Sequence, residues 1–386
     1  MLKFLQLGDL HLGAKLSGLP QAVADQLREA VRETAREAFV QAGAQGLDLV
    51  LLPGDVYEAD GLDPAAQLRF VYKLAEEISP IPVVIAPGNH DPFGPDSPYL
   101  SEQHPDNVFL FTSPGFQTLH TPAGAITGRA YQAGEGHNRL DFSKLPSPPP
   151  EPGLLVVHAS LLTAGDDRRH AAMIVPVTEE ALLGSGFAYT ALGHFHNQRE
   201  FRRSGDFSFA AYSGCPQGQG WDEQGPRGWI TGQLGPAGAK LDFVPAARYT
   251  FNRRWFSLPP ATDADPAARL KELVAELRGS IAHNEAIELR VRGRWPAALR
   301  EQLERALGDA LSAAWHARPP DLSRVEFHPE LAEPGKSEVL DEFLNACDAG
   351  AAAAADDADE AAAWQLAQHL GHRLLSGQGL PGEVSA

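Results

Sequence analysis

The chain has 386 residues, 43% of them hydrophobic, enough for a sizeable core and more than one domain. Its two cysteines, Cys215 and Cys347, lie far apart, which excludes a disulfide scaffold and a cysteine-rich zinc site and fits a reducing, cytoplasmic setting. The formal net charge of −18 argues against a general nucleic-acid coating protein, but not against an enzyme whose site is locally neutralised by metal ions.

The opening "MLKFLQLGDLHLG" has neither the basic start nor the long apolar stretch of a signal peptide, and no apolar run is long enough for a membrane helix; no membrane role is expected. In chain order, 3–8 and 48–53 are short apolar runs ending in Gly-Asp. Between them, Val23, Leu27, Val31, Ala35 and Phe39 recur at helical spacing and predict a helix over 21–43. A second helical pattern at 64–78 leads to a strand at 82–86. This β-α-β-α-β order predicts parallel early strands covered by helices.

Beyond residue 106 short apolar runs such as "NVFLF", "FQTLH", "AITGRAY", "GLLVVHAS", "FAYTALGH", "FSFAAYSG" and "GWITGQL" follow one another between Gly, Pro and Asn. They predict a second sheet packed on the first. From 247, "YTFNRRWFSL" reads as a strand, 264–278 as a helix, "AIELRVRGRW" as a strand, 296–314 as a helix and "LSRVEFH" as a strand. "HPELAEPGKS" reads as a linker before two helical patterns, 336–346 and 359–375, separated by a flexible "DAGAAAAADDAD". The expected divisions are therefore 1–246, 247–330 and 331–386. Charge follows them: residues 248–327 carry 13 Lys/Arg against 11 Asp/Glu, and 328–386 carry 2 against 11.

Five polar clusters sit at ends of the predicted strands: Asp9-x-His11, Asp55, Asn89-His90-Asp91, His158 and His194-x-His196. The space beyond strand carboxyl ends is where α/β sheets bind ligands. In extended chain, residues i and i+2 point to one side, so Asp9 with His11, and His194 with His196, would each present two groups to one pocket. The donors are carboxylate, imidazole and amide oxygen, a set for hard or borderline divalent ions. Seven candidate ligands exceed what one catalytic ion takes and suit two ions sharing a carboxylate, an arrangement known for phosphoester hydrolysis. The nine other histidines, His104, His120, His137 and His170 among them, lie outside these contexts.

The ordered set D-x-H, G-D, G-N-H-D, H, G-H-x-H over residues 9–196 resembles the calcineurin-like metallophosphoesterase superfamily. Within it the chain is similar to the DNA-repair exonuclease branch, the SbcD family, and to its YhaO-like bacterial members. The stretch "YSGCPQGQGWDEQGPRGW" at 212–229 resembles a loop of that branch, and the module after 247 its capping domain. The resemblance weakens after about 330.

The resemblance implies an α+β/α/β fold: a four-layer α-β-β-α sandwich, its two sheets face to face, with a small α/β cap and C-terminal helices. Asp9, His11 and His196 would hold one metal and Asn89, His158 and His194 another, with Asp55 bridging. The ions would be Mn2+ first, with Fe2+, Zn2+ or Mg2+ as alternatives. A hydroxide between them would attack phosphorus, His90 would face the leaving oxygen, and Asp91 would fix His90 by a hydrogen bond. The implied activity is metal-dependent DNA exonuclease or phosphodiesterase action in a repair complex. The alternatives are a phosphodiesterase for small nucleotides, and a weakly catalytic subunit that binds DNA ends or an ATPase.

DNA contacts are expected from Arg202 and Arg203, and from Arg253, Arg254, Arg290, Arg292 and Arg294 interleaved with Trp255 and Trp295, against the plainer reading of a solvated sheet face. The expected partners are DNA, an SbcC-like SMC-type ATPase and a second copy of the chain. Apolar faces holding Leu340, Phe343 and Leu344, and Trp364, Leu366, Leu370 and Leu374, would dock the ATPase or pack on the protein's own core. One departure stands out: nucleases of the family often carry His three residues after the bridging Asp, where this chain has Glu58. That puts nuclease efficiency, or the choice between exonuclease and endonuclease action, in question.

Overall fold

The computed structural model describes residues 1–135, 141–148, 153–163, 174–259, 266–328, 338–354, 360, 363–364, 366–368 and 370–371. The chain divides into two compact units, Met1–Asn252 and Arg253–Ala386.

The first unit begins β1 (Leu2–Gln6), α1 (Gln21–Ala44), β2 (Leu49–Leu52), α2 (Pro64–Glu77), β3 (Val83–Ile85), α3 (Pro98–Ser101) and β4 (Val108–Leu110). The four strands pair in parallel, with Phe4 opposite Leu49, Val50 opposite Val83 and Val83 opposite Val108. α1 buries Leu27, Val31, Ala35 and Phe39, the stripe its spacing predicts. α2 starts where Asp63 accepts a hydrogen bond from the Ala66 N–H at 3.0 Å, with Pro64 in the first turn, where its missing N–H costs nothing. Both helices pack through one core on the outer face of these strands.

There follow β5 (Gln117–Thr121), β6 (Gly124–Gly128), β7 (Leu154–His158), β8 (Leu161–Leu162), β9 (Val177–Thr178), α4 (Glu179–Gly184), β10 (Tyr189–Gly193), β11 (Arg199–Ser204), β12 (Phe207–Tyr212), β13 (Gly228–Gly235) and β14 (Gly238–Pro245). The expected two sheets are hydrogen-bonded as one. Its order is β4-β3-β2-β1-β13-β14-β12-β10-β7-β6-β5, with β11 on the flank of β12. The hairpin of β13 and β14 makes the join: β13 runs antiparallel to β1, and β14 touches β12 at Ala239 and Ser208.

The two halves of this sheet share a core. Phe4, Leu51 and Val84 from the first half cluster with Val156, Tyr189 and Ala191 from the second, and the Phe4 and Tyr189 ring centroids lie 5.2 Å apart. Buried Gln6 pins the halves together. Its Nε2 donates to the carbonyls of Leu192 (3.1 Å) and Ala211 (2.9 Å), and its Oε1 accepts from the Tyr189 hydroxyl at 2.6 Å. A buried amide with these groups satisfied fixes the pairing as well as stabilising it.

The second unit holds most of β15 (Thr250–Ser257), then α5 (Pro266–Ser280), β16 (Glu285–Pro296), α6 (Arg300–Leu311), β17 (His316–Ala317), β18 (Asp321–His328) and α7 (Glu338–Ala353). β16 lies between β15 and β17 and also pairs with β18. Leu270, Leu277, Leu303 and Leu307 of α5 and α6 pack on Phe256, Leu289, Val291 and Trp295, so the helices cover one sheet face.

The Ala/Asp stretch expected to be flexible continues α7 as far as Ala353, in keeping with alanine's helix propensity. Within the C-terminal segment, Phe343 lies against Gly371 and the Trp364 ring against Gly350, where an added β-carbon would lie 2.1 and 2.4 Å away. These two side chains thus pack on the chain itself. The expected linker, Leu374 and much of the last helical pattern lie outside the described residues, as do His137 and His170. Among the described residues, no helix is long and apolar enough to cross a membrane.

Candidate metal centre

All five sequence clusters meet at strand carboxyl ends. Asp9, Asp55 and Asn89 lie in the loops after β1, β2 and β3, His158 is the last residue of β7, and His194 follows β10 directly. The loops brace one another: Asp9 N–H donates to the Gly54 carbonyl (3.1 Å), His11 N–H to that of Asp55 (2.9 Å) and Ala59 N–H to that of His90 (2.9 Å).

Extended alternation is not what aims the side chains, contrary to the expectation from spacing. Asp9, His11, Asp55 and His194 have φ of 53°, 48°, 52° and 111°. They are four of the seven non-glycine residues with positive φ among those described. Such conformations cost free energy and concentrate where a site over-determines them.

The ligand atoms converge. Asp9, His11 and His196 offer donors within 4.8 Å of one another, and so do Asp9, Asp55 and His158. Asp55 Oδ2 lies 3.6 Å from His11 Nε2 and 3.2 Å from His158 Nε2. Asn89 Oδ1 lies 2.9 Å from the same His158 nitrogen. His194 donates its backbone N–H to Asp9 Oδ1 at 2.8 Å, and its ring centroid is 5.4 Å from that of His158.

Three imidazoles share one design. His158 Nδ1 donates to the Pro53 carbonyl at 2.9 Å, His11 Nδ1 to Glu58 Oε1 at 2.7 Å, and His196 Nδ1 to Glu223 Oε1. Carbonyls and carboxylates only accept, so each Nδ1 carries a proton and each Nε2 is turned inward. His11 Nε2 and His196 Nε2 then face each other across 3.0 Å. His158 Nε2 faces two oxygens, and Asp9 Oδ2 is buried with no hydrogen-bond partner among the described residues. Inward-facing ring nitrogens and a buried, unpartnered carboxylate oxygen need cations among them, whether protons on the imidazoles or metal ions. The residues fit a pair of divalent ions, and the carbonyl and carboxylates on the Nδ1 atoms are the outer partners that orient metal-binding histidines.

Glycines make the convergence possible. A β-carbon on Gly54, Gly88 or Gly193 would lie 2.4, 2.8 or 2.8 Å from His158 Nδ1, and on Gly193 it would also lie 1.9 Å from the Pro53 carbonyl oxygen. The G-D, G-N and G-H dipeptides are therefore steric requirements of one buried imidazole.

Charge coupling follows the same geometry. Burial pushes the Asp9 carboxyl up despite His158 and His196. At Asp55 burial also opposes ionisation, but His158, His11 and His90 outweigh it and hold the carboxyl well below its usual range. Burial disfavours the charged forms of His158 and His196, yet Asp55 beside the first and Glu223 beside the second lift each to about 9.

His90 is half-exposed. Its backbone N–H donates to Asp55 Oδ1 at 2.8 Å, and its Nδ1 donates to Glu58 Oε2 at 2.9 Å. Glu58 thus joins His11 to His90. Burial opposes its ionisation, but the two histidine hydrogen bonds hold its carboxyl at about 2. That hydrogen bond in turn raises His90.

Asp91 does something other than expected. It is buried and does not bond His90; its Oδ1 accepts from Gly88 N–H (2.6 Å) and Asp55 N–H (3.0 Å), and its Oδ2 from Val56 N–H (2.8 Å) and the Tyr99 hydroxyl (2.6 Å). It ties the Asn89 loop to the Asp55 loop, while Glu58 steadies His90. Adjacent side chains in a tight turn point apart, which is why adjacency in sequence misleads here.

The 212–229 loop adds a residue that ligand spacing alone does not find. Besides Glu223 on His196, Arg227 donates through Nη1 to the His196 carbonyl and through Nη2 to the Gln224 carbonyl at 2.9 Å. Gln217 anchors the loop by accepting from Arg248 N–H (2.8 Å) and donating to the Tyr249 carbonyl (2.8 Å).

The arginines expected to meet DNA lie on β11 and on the sheet of the second unit. On β11, Arg202 pairs with Glu200 at 3.1 Å and Arg203 is exposed. In the second unit, Arg253 and Arg290 share Glu288 at 2.7 and 3.0 Å, and Arg254 pairs with buried Glu285 at 2.6 Å. Arg292 rests on the Ser257 hydroxyl at 3.0 Å, and Arg294 pairs with Glu326 at 3.3 Å. Trp295 is 2% exposed in the core, so it is no stacking surface, whereas Trp255 is 46% exposed.

A model of the calcineurin-like phosphoesterase family matches residues 2–198. The uncharacterized metallophosphoesterase YhaO of Bacillus subtilis is 27% identical over 240 residues, 59% of this chain and 56% of that protein, so the chain spans a little over half the length of this relative. Two solved structures also match over 62% of this chain and 98% of their own: TT1561 of Thermus thermophilus (12% identical, TM-score 0.38) and a dimetal phosphatase from Danio rerio (14%, TM-score 0.36).

Proposed function

The chain belongs to the calcineurin-like phosphoesterase family, and from that footing we propose that it is a two-metal phosphodiester hydrolase acting on DNA as an exonuclease. The observation that carries hydrolysis is the inward convergence of three oriented imidazoles with Asp9 Oδ2 and Asp55 Oδ2. Bound there, a pair of divalent ions supplies the activation of water and the charge neutralisation that phosphodiester hydrolysis needs. Asp9, His11 and His196 would hold one ion, Asn89, His158 and His194 the other, and Asp55 both.

The protein's own part is positional and protonic. Glu58 holds His90 by Nδ1, which turns Nε2 outward, and the same hydrogen bond favours the protonated ring. His90 then donates from Nε2 to the leaving oxygen. Asp91 keeps the His90 and Asp55 loops in register.

DNA as the substrate rests on the resemblance of the motifs and the 212–229 loop to the SbcD-type branch, and on the arginines of the second unit. The same reading includes the four-layer sandwich, a capping role for the second unit, manganese as the metal, an SbcC-like ATPase partner and pairing with a second copy. Purified protein with manganese is expected to cleave linear single- or double-stranded DNA and bis(p-nitrophenyl) phosphate, with both activities lost in Asn89→Ala and sharply reduced in His90→Ala. Cleavage of the small diester but not of DNA overturns the DNA assignment. Two bound metals with no hydrolysis of either substrate overturns the enzyme.

A further inference from the structure

The open face of the second unit's sheet carries an aromatic ring among cations. Among the described residues, Trp255 and Phe195 are the exposed Trp and Phe rings. The guanidinium carbons of Arg290, Arg292 and Arg324 lie 5.9, 5.7 and 5.4 Å from the Trp255 ring centroid. All three lie within cation–π range but farther out than a direct stack. For comparison, Arg32 over Phe70 sits at 3.9 Å, where a guanidinium occupies the ring face. The Trp255 indole is therefore flanked by positive charge and left 46% open to solvent.

The charge is only partly cancelled locally: Asp321 lies opposite Arg290 and is held low in part by Arg290 and Arg324, after its hydrogen bonds with Ser323. Glu288 serves Arg253, Arg290 and Arg318, and Glu326 serves Arg294. Among the described residues neither Arg292 nor Arg324 has an ion-pair partner, in a chain whose net charge is −18. The indole adds nothing to the core, which Phe256 and Trp295 fill from the other side of the sheet.

The geometry points to a binding site for an unpaired nucleic-acid strand, with a base stacked on Trp255 and its flanking phosphates held by Arg292 and Arg324. An acidic peptide would use the guanidiniums but not the open indole. A duplex keeps its bases stacked on each other. Only an unpaired strand supplies both chemistries at once, and this is how sequence-tolerant single-strand sites are built. The inference takes its substrate class from the nucleic-acid reading above and does not depend on the metal centre.

The test uses the full chain in EDTA, so that nothing is cleaved, with three fluorescent probes: a twelve-nucleotide oligothymidylate, an abasic oligomer with the same number of phosphates, and a blunt hairpin duplex. Wild type is expected to bind oligothymidylate more tightly than either other probe. Trp255→Ala is expected to weaken oligothymidylate about tenfold or more and leave the abasic probe unchanged. Trp255→Phe is expected to restore part of the loss. Arg292→Gln with Arg324→Gln is expected to weaken both single-stranded probes and to lower the salt dependence by about one to two phosphate contacts.

Equal loss of all probes in Trp255→Ala overturns the site, as does preference for the duplex, a poly-glutamate peptide competing as well as oligothymidylate, or no binding at low salt. Hydrolysis of bis(p-nitrophenyl) phosphate by Trp255→Ala is read in parallel. Single-strand binding that depends on Trp255 in a protein that never cuts DNA keeps the site and removes the nuclease. The converse removes the site alone.

Discussion

The two units of the chain handle charge in opposite ways. In Met1–Asn252 the charged and imidazole groups of the centre are mostly buried: Asp9 is 0% exposed, Asp55 1% and His158 4%. They sit on strained backbone and are oriented by Glu58, Glu223 and Pro53. In Arg253–Ala386 the arginines of the sheet face solvent, share carboxylates and surround an open indole. A buried polar cluster is stable only when every group is compensated, so its geometry reports a definite ligand. An exposed pair gains little and loses little, so its geometry reports a surface able to accept one.

The contrast breaks first at glycine. Gly193→Ala places a β-carbon 1.9 Å from the Pro53 oxygen and against His158, and neither backbone nor buried ring can yield. Loss of more than about 3 kcal/mol of stability is expected, with loss of metal binding. Gly308→Ala in α6 meets nothing within 4 Å, and a gain of about 0.5–1 kcal/mol is expected. Denaturant unfolding of both variants checks this. A mild Gly193→Ala would mean the centre is looser than its contacts imply.

Next in size are the outer carboxylates. Glu223→Gln and Glu58→Gln leave every proposed ligand in place but weaken the hold on His196 and His11. Metal affinity is expected to fall about 10–100-fold in each, measured by titrating metal-free protein with manganese. Glu58→Gln is also expected to shift the alkaline limb of the activity profile to lower pH, because His90, which must be protonated to donate, loses the hydrogen bond that raises it. Unchanged affinity in both would reduce these carboxylates to packing.

These residues show what a sequence discloses. Asp9, His11, Asp55, Asn89, His158, His194 and His196 are legible because ligand chemistry restricts residue type and strand ends fix where they meet. How they are aimed is not legible, because a φ near +50° at Asp9 or Asp55 is imposed by packing between loops. Adjacency ties Asp91 to His90, yet its partners are the backbone N–H groups of Gly88, Asp55 and Val56 and the Tyr99 hydroxyl. Glu223 lies 27 residues from His196 and is brought there by the β11–β12 excursion and the loop after it. The parallel order of β1 to β3 follows from helix–strand alternation, whereas "NVFLF", expected in the second sheet, pairs in parallel beside β3 as β4. The single sheet does not follow, because it depends on a hairpin whose second strand, "GAKLDFVP", is partly polar and gives a weak apolar signal. Arg324 joins Trp255 only through the pairing of β18 with β16.

The centre is also expected to invert the pH dependence of stability when metal is removed. His158 and His196 are raised to about 9 in the folded chain from an ordinary value of about 6.5. A raised histidine contributes stability that is fully present below its unfolded value and is lost as pH climbs through its folded value. The melting temperature in EDTA is therefore expected to fall between about pH 6.5 and 9. Asp91, raised to about 6, titrates mostly below this window and adds a fall of the same sign at its lower edge. Bound ions require neutral imidazoles, so the stabilisation given by manganese is expected to grow over the same range. Parallel curves with and without manganese would show that the two histidines do not change protonation on loading.

The smallest expected effect tests the other side of the contrast. Arg294 and Glu326 form a 3.3 Å pair in which both side chains are about half exposed. Solvent screens such a pair, and holding two long side chains in one geometry costs entropy, so Arg294→Gln is expected to change stability by less than about 1 kcal/mol, and by less still at high salt. The same substitution at Arg254 leaves Glu285, 1% exposed, without its bidentate partner and is expected to cost more. If the two variants unfold alike, burial of Glu285 is not what separates them. If Arg294→Gln alone is costly, the sheet face is a structural network, and its arginines are not held in reserve for a strand.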